Sequence, residues 1–131
     1  MAMDVRGALG ADLHAGTAQI TIFIPSVDRS GQEIGQEFWR EEALAVLGRA
    51  FRGATAFPPG RGVWRDDKSE GRLLFERIGL VTSYAREVDM TEESMHDLRK
   101  FLHRMGRQAR QGEVGVVVDG VYWPITTYDE S

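Results

Sequence analysis

The residues most able to do chemistry gather near the middle of the chain, at positions 53–67, which read GATAFPPGRGVWRDD. Arg61 and Arg65 offer guanidinium forks to an anion. Gly60 and Gly62 leave backbone N–H groups open to close approach, and Trp64 supplies a flat wall. Arg61, Trp64 and Arg65 are therefore the candidate ligand-binding set, and a small anion is the ligand they suit. No Lys-Ser/Thr pair follows these glycines, and they do not open a helix after a strand, so phosphate-loop and dinucleotide-loop readings both fail. The competing reading is a Pro-Gly bend that sets a hairpin, with Trp64 packed in a core or an interface.

Proton transfer could fall to Glu76, Tyr84 or His103 if they face a shared cleft. With an arginine holding an anionic substrate, they would form a small cofactor-independent enzyme. Ser83 lacks the G-x-S-x-G surroundings of a nucleophile elbow. Asp66, Asp67, Glu70 and Glu76 lack the alternating ligands and glycine of a calcium loop. His96 and His103 stand seven positions apart, too far for the i, i+4 pair of a helical zinc site, and His14 stands alone near the start. No metal and no resident cofactor are expected. With no cysteine in the chain, thiol catalysis, thiolate metal sites and disulfides are excluded.

A second cluster is cationic. Arg99, Lys100, Arg104, Arg107 and Arg110, with His96 and His103, fall at helical spacing opposite the stripe Met95, Leu98, Leu102 and Met105. A basic helix over 91–111 on an acidic protein suits an anion, an acidic protein partner or electrostatic contact with nucleic acid. The competing reading is a solvated face whose cations complement the helix dipole and pair with Glu37 and Glu41 of the preceding helix. The strand at 71–80 (GRLLFERIGL) does not carry the aromatic pattern of an RNA-recognition sheet.

These groups must be placed by a regular framework. Ile20, Ile22 and Ile24 alternate with Gln19, Thr21 and Phe23, which predicts a strand ended by Pro25. A first helix is predicted over 36–52, with Trp39, Ala43, Val46, Leu47 and Ala50 on its apolar face and Gly53 as its stop. From 54 to 66 the pattern predicts a strand, a Pro-Pro-Gly kink and a second short strand. A polar turn at 67–71 then leads to a long strand over 72–85, in which Gly79 marks a bulge or a close backbone approach. Asp89 with Glu92 outlines a capping box for the second helix, with Thr91 the rival cap and Gly112 the stop. Asp119-Gly120 between two β-branched runs predicts a hairpin, and Pro124 marks its second strand as an edge.

The order is β-α-β-β-α-β with an added C-terminal strand. The economical packing is a ferredoxin-like α+β sandwich, an antiparallel sheet with two helices on one face. The domain spans 18–127, between a mobile tail at 1–17 and a frayed end at 128–131. Phe23, Phe75 and Val81 are expected to leave the uncovered face partly apolar, which predicts a homodimer.

The chain has 131 residues, 42% of them hydrophobic and 27% charged, as in a single soluble domain. A net charge of −4 argues against coating nucleic acid or anionic membrane over the whole surface. The opening residues carry no apolar core suited to a signal peptide, and no run reaches the length of a membrane span. A cytoplasmic protein without a membrane partner is expected.

The pattern Gly53-x-Thr55 followed by Gly62-x-Trp64-Arg65, a polar turn and the strand LLFERIGLVTSYA resembles a family of small uncharacterised bacterial proteins of ferredoxin-like type. The likeness spans about 20–125. It implies the fold; the family has no established reaction, so it implies no active site.

Overall fold

The computed structural model describes residues 2–12, 16 and 18–130. Its elements are α1 (Val5–Leu9), β1 (Ala18–Ile24), α2 (Gln36–Phe51), β2 (Thr55–Asp66), β3 (Arg72–Ala85), α3 (Glu92–Gln108), β4 (Val114–Val118) and β5 (Val121–Ile125). The five strands form one sheet in the order β2-β3-β1-β4-β5, with every neighbouring pair antiparallel. This is the expected ferredoxin-like α+β sandwich, with β5 added beyond β4.

The core lies between the sheet and the pair α2 and α3. Ile20, Ile22 and Ile24 from β1, Val81 from β3, Leu47 from α2 and Met105 from α3 are wholly buried there. Period-two alternation makes this possible, since it turns every second residue of β1 toward the helices. Each such side chain contributes about 1.5–3 kcal/mol by leaving water. At Gly79 the close-approach reading holds: a Cβ there would meet the Cβ of Ile24, its partner across the strands, at 3.3 Å.

Several local expectations need correction. The two short strands around Pro58-Pro59 are one continuous strand, β2, whose register against β3 shifts between Phe57 and Gly60. The prolines are absorbed because β2 is an edge strand and both fall within the register shift, where neither has to donate to β3. α2 stops one residue early, with Arg52 rather than a glycine in the left-handed conformation (φ 76°). Thr91 caps α3 by accepting the Ser94 N–H, while Asp89 pairs with Arg52 at 2.9 Å. Val81 lies in the core, and Phe75 is on the helix side of the sheet but beyond the helices.

The tail contains α1, a fully exposed short helix with Asp4 as cap. His14 lies outside the described residues. Residues 128–130, expected to fray, instead include Tyr128 and Asp129 hydrogen-bonded to the body of the protein. Among the described residues no helix is long and apolar enough to cross a membrane.

One feature of the sheet is unusual. β1 ends at Ile24, opposite Gly79, yet β3 begins at Arg72, so the segment from Arg72 to Ile78 pairs with β2 alone. The result is a two-stranded arm projecting past the helices. Leu73 and Phe75 are each 56% exposed on one face and Trp64 is 42% exposed on the other. An isolated two-stranded ribbon is marginal in water.

Candidate functional site

The open sheet face, opposite the helices, is built in rows set by the strand register. Gln19 and Tyr84 form one row. Val117, Thr21, Thr82 and Thr55 form the next, and Phe23, Leu80 and Phe57 the third. Toward the arm follow Ile78 beside Gly60, then Glu76 beside Gly62, then Leu74 beside Trp64. The centre of the face is polar. The Thr21 and Thr82 hydroxyls lie 2.9 Å apart, the Gln19 amide reaches Thr82 Oγ1 at 3.5 Å, and Thr82 donates to the Ile20 carbonyl at 3.1 Å.

Aromatic rings border this polar centre. Tyr122 from β5 meets the Phe23 ring edge-on, with centroids 6.0 Å apart. It folds across Gly115, where an added Cβ would fall 2.5 Å from the Tyr122 hydroxyl oxygen. Its hydroxyl donates to Glu113. Burial, and then that hydrogen bond, hold the phenol well above the ordinary tyrosine range. It therefore remains a neutral donor at physiological pH. Between Phe57 and Trp64 the β2 side of this face is bare backbone at Gly60 and Gly62, and the Ile78 side chain lies over Gly62, where an added Cβ would fall 3.0 Å from Ile78 Cγ1.

Glu76 is the organising residue of this stretch. Its Oε1 accepts the backbone N–H groups of Ser26 and Val27 at 3.0 and 3.2 Å, and its Oε2 accepts the Trp64 indole N–H at 3.3 Å. Three donors occupy the carboxylate, which thereby ties the loop after β1 to the arm. Geometry makes Glu76 a positioning group, with three of its roughly four acceptor sites engaged.

The other sequence candidates are dispersed. Arg61 and Arg65 lie on the face of β2 opposite Trp64. The Arg61 guanidinium sits 4.3 Å from the Phe75 ring centroid, and Arg65 pairs with Asp67. Tyr84 is 65% exposed and eight residues from Glu76 along β3, roughly 26 Å at about 3.3 Å per residue. His103 is on the far side of the sheet, in α3, and only 8% exposed. Glu76, Tyr84 and His103 share no cleft within one chain.

His103 also departs from the basic face to which its spacing assigned it. Its Nδ1 accepts the Asp129 N–H at 2.7 Å, which leaves that nitrogen unprotonated and the proton on Nε2. Around it Arg99 grips the Asp129 carboxylate through two hydrogen bonds, 2.7 and 3.0 Å, and Arg107 donates to the Asp129 carbonyl. Arg104 pairs with Glu42 at 2.7 Å rather than with Glu37 or Glu41, and lies near the Trp39 and Phe101 rings. Arg110 adopts φ 53° in the turn after α3 and helps to hold the Asp28 carboxyl below its usual range, where the Gln32 N–H has the largest effect. Lys100 lines a groove between α2 and α3. Among the described residues no group of His, Asp and Glu is arranged to hold a metal ion.

Sequence reasoning overlooked Thr21, Thr82, Tyr122 and Asp129. The parity of β1 already put Thr21 on one face with Gln19 and Phe23. Nothing local marked Tyr122 or Asp129, whose partners are in distant elements.

The sequence matches no protein-family model and no curated protein sequence. Its structure is similar to that of a phage SAM lyase in complex with S-methyl-5'-thioadenosine, with a TM-score of 0.65 and 18% identity over 88% of this chain and 94% of that one. It is also similar to a phage SAM lyase in the apo state, with a TM-score of 0.60 and 17% identity over 92% and 97% of the two chains. What this chain shares with them is the fold, end to end over nearly the whole of both chains.

Proposed function

We propose that the chain is the subunit of a homo-oligomer, at smallest a dimer, that binds a small nucleoside-type ligand on its open sheet face and acts on it as an enzyme of the SAM lyase kind. The observation that carries the assembly is the two-faced arm. Leu73, Phe75, Val63 and Trp64 are exposed on a ribbon with no third strand, and apolar surface of this kind is normally covered by a partner. Pro58 and Pro59 on the β2 edge and Pro124 on the β5 edge disfavour edge-to-edge pairing. A second copy therefore packs against the face and the arm.

Support for the ligand class is chemical and comparative. Aromatic rings suit a purine, and the Thr21 and Gln19 side chains, backed by the buried Thr82 hydroxyl, suit ribose hydroxyls. Solved proteins of the same fold and length include a SAM lyase with bound S-methyl-5'-thioadenosine. Since Glu76, Tyr84 and His103 do not converge in one chain, a complete site would draw residues from two copies.

The test has two parts. Sedimentation velocity should give a species larger than the monomer at micromolar concentration; a monomer alone sinks the assembly. Titration with S-methyl-5'-thioadenosine should raise the melting temperature, since ligand at about 100 times its Kd stabilises by about 2.7 kcal/mol. Incubation with SAM should release the thioadenosine, followed by chromatography. Neither binding nor turnover at millimolar ligand overturns the functional reading.

A further inference from the structure

On the opposite side of the molecule, away from the sheet face, a groove of about 650 Å³ runs between α2 and α3 and ends against residues 128–130. Its apolar floor is Val46 and Phe101, and Arg49 and Lys100 project along it. Both are exposed, and among the described residues neither makes an ion pair or hydrogen bond. Arg104 also lines the groove, held by Glu42, yet one contact leaves most of the five guanidinium N–H groups available.

At the groove's end the protein supplies an anion of its own. The Asp129 carboxylate sits in the fork of Arg99, its carbonyl accepts from Arg107, and its N–H is taken by His103. A bidentate guanidinium–carboxylate pair has the geometry by which arginine also holds phosphate. Without Asp129, the groove would place Arg49, Lys100, Arg104 and Arg107 around one space, with Arg99 freed at its edge, against the carboxylates of Asp97, Glu130 and the Arg104 partner Glu42. That concentration of positive charge stands out on a chain of net charge −4.

We propose that this groove is a binding site for a multiply charged phosphate anion and that Asp129 is its built-in competitor. In the unliganded protein Asp129 occupies Arg99 and Arg107. An entering phosphate is met first by Arg49 and Lys100, then takes Arg99 from the carboxylate and releases residues 128–130. The proposal stands independently of the sheet-face reading, because it uses other residues on the other side of the sheet.

Calorimetric titration with pyrophosphate at low salt tests it on the intact chain. Saturable binding of one equivalent per chain is expected, weakening as salt screens the charges. Asp129→Asn should bind about five- to tenfold more tightly, because a competitor that keeps the site only partly competent lowers its apparent affinity. Lys100→Glu and Arg49→Glu should each weaken binding about tenfold, as expected for a lost charge-assisted contact of roughly 1.4 kcal/mol. Circular dichroism melts confirm that these surface variants fold. ADP separates the sources: affinity equal to that of pyrophosphate identifies a phosphate-only site, and tighter binding identifies a nucleotide site, both supporting the proposal. No saturation at about 10 mM, a weak-binding limit near −3 kcal/mol, overturns it. So does an Asp129→Asn variant with unchanged affinity, or binding of single-stranded RNA without binding of pyrophosphate.

Discussion

The Trp64 indole and the Glu76 carboxylate are joined at 3.3 Å across the β2–β3 arm, and the other oxygen of Glu76 holds the Ser26 and Val27 amides. One side chain thus fastens both the arm and the loop leaving β1. Glu76→Gln replaces an acceptor oxygen with an NH₂ group and sets it against these N–H donors. A loss of about 1.5–3 kcal/mol in urea denaturation is expected, the range for hydrogen bonds to a charged group. Trp64→Phe keeps the ring and loses one bond, so it should cost about 1 kcal/mol. Equal stability for Glu76→Gln and the wild type would refute the fastening role.

The Asp129 carboxyl is held below the ordinary carboxylate range, chiefly by its hydrogen bond to Arg99, with partial burial opposing and the charges of Arg99 and Arg107 adding attraction. Because its folded value is depressed, its stabilising effect is complete above the unfolded carboxylate value of about 3.9 and is lost as pH falls through the folded one. In an NMR titration the Asp129 side chain should titrate below a free aspartate. Asp129→Asn should flatten the acid limb of the stability curve. A midpoint at or above the free value would contradict the Arg99 pairing.

Gly106 lies under the Tyr128 ring, where a Cβ would fall 2.2 Å from ring carbon Cε1. The ring belongs to a peripheral segment, so Gly106→Ala should displace Tyr128 rather than unfold α3. Alanine in the helix recovers about 1 kcal/mol relative to glycine, offsetting the lost Tyr128–Gln111 hydrogen bond. Global stability should change by less than about 1 kcal/mol, while the Asp129 amide shifts strongly in a two-dimensional NMR spectrum. An unshifted Asp129 amide would show that the ring is not seated there.

Leu73 and Phe75 flank the exposed helix-side face of the arm. The pair Leu73→Asp and Phe75→Asp should leave monomer stability within about 0.5 kcal/mol, as for surface substitutions. Self-association should weaken by at least about tenfold, because two charges would be desolvated at the contact. Unchanged sedimentation of a multimer would move the interface elsewhere.

The framework was legible because its signals are local. Alternation in β1 and the spacing of Trp39, Ala43 and Leu47 in α2 report which side chains share a face within a few residues. Asp119-Gly120 likewise announces the hairpin it forms, with φ 50° and 80° at the turn. The candidate site was less legible. Arg61 and Arg65 were grouped with Trp64 by proximity in sequence, yet in a strand one position decides the face, and the register against β3 separates them. His103 was grouped with the cations by its helical angle, although only the docking of residues 128–130 buries it.

By itself, then, the chain's order of types determined the elements from β1 onward, their sequence β-α-β-β-α-β-β and the residues able to form a core, since period and turn chemistry act through neighbours; the short α1 before them went unread. Only the tertiary structure decided that β3 outruns β1 to leave an arm, that Glu76 ties this arm to Ser26 and Val27, and that Asp129 lies in the fork of Arg99. The first depends on pairing between residues 55 to 67 positions apart, and the other two on contacts 12 to 50 positions apart. Chain geometry brings those together, and no local pattern records it.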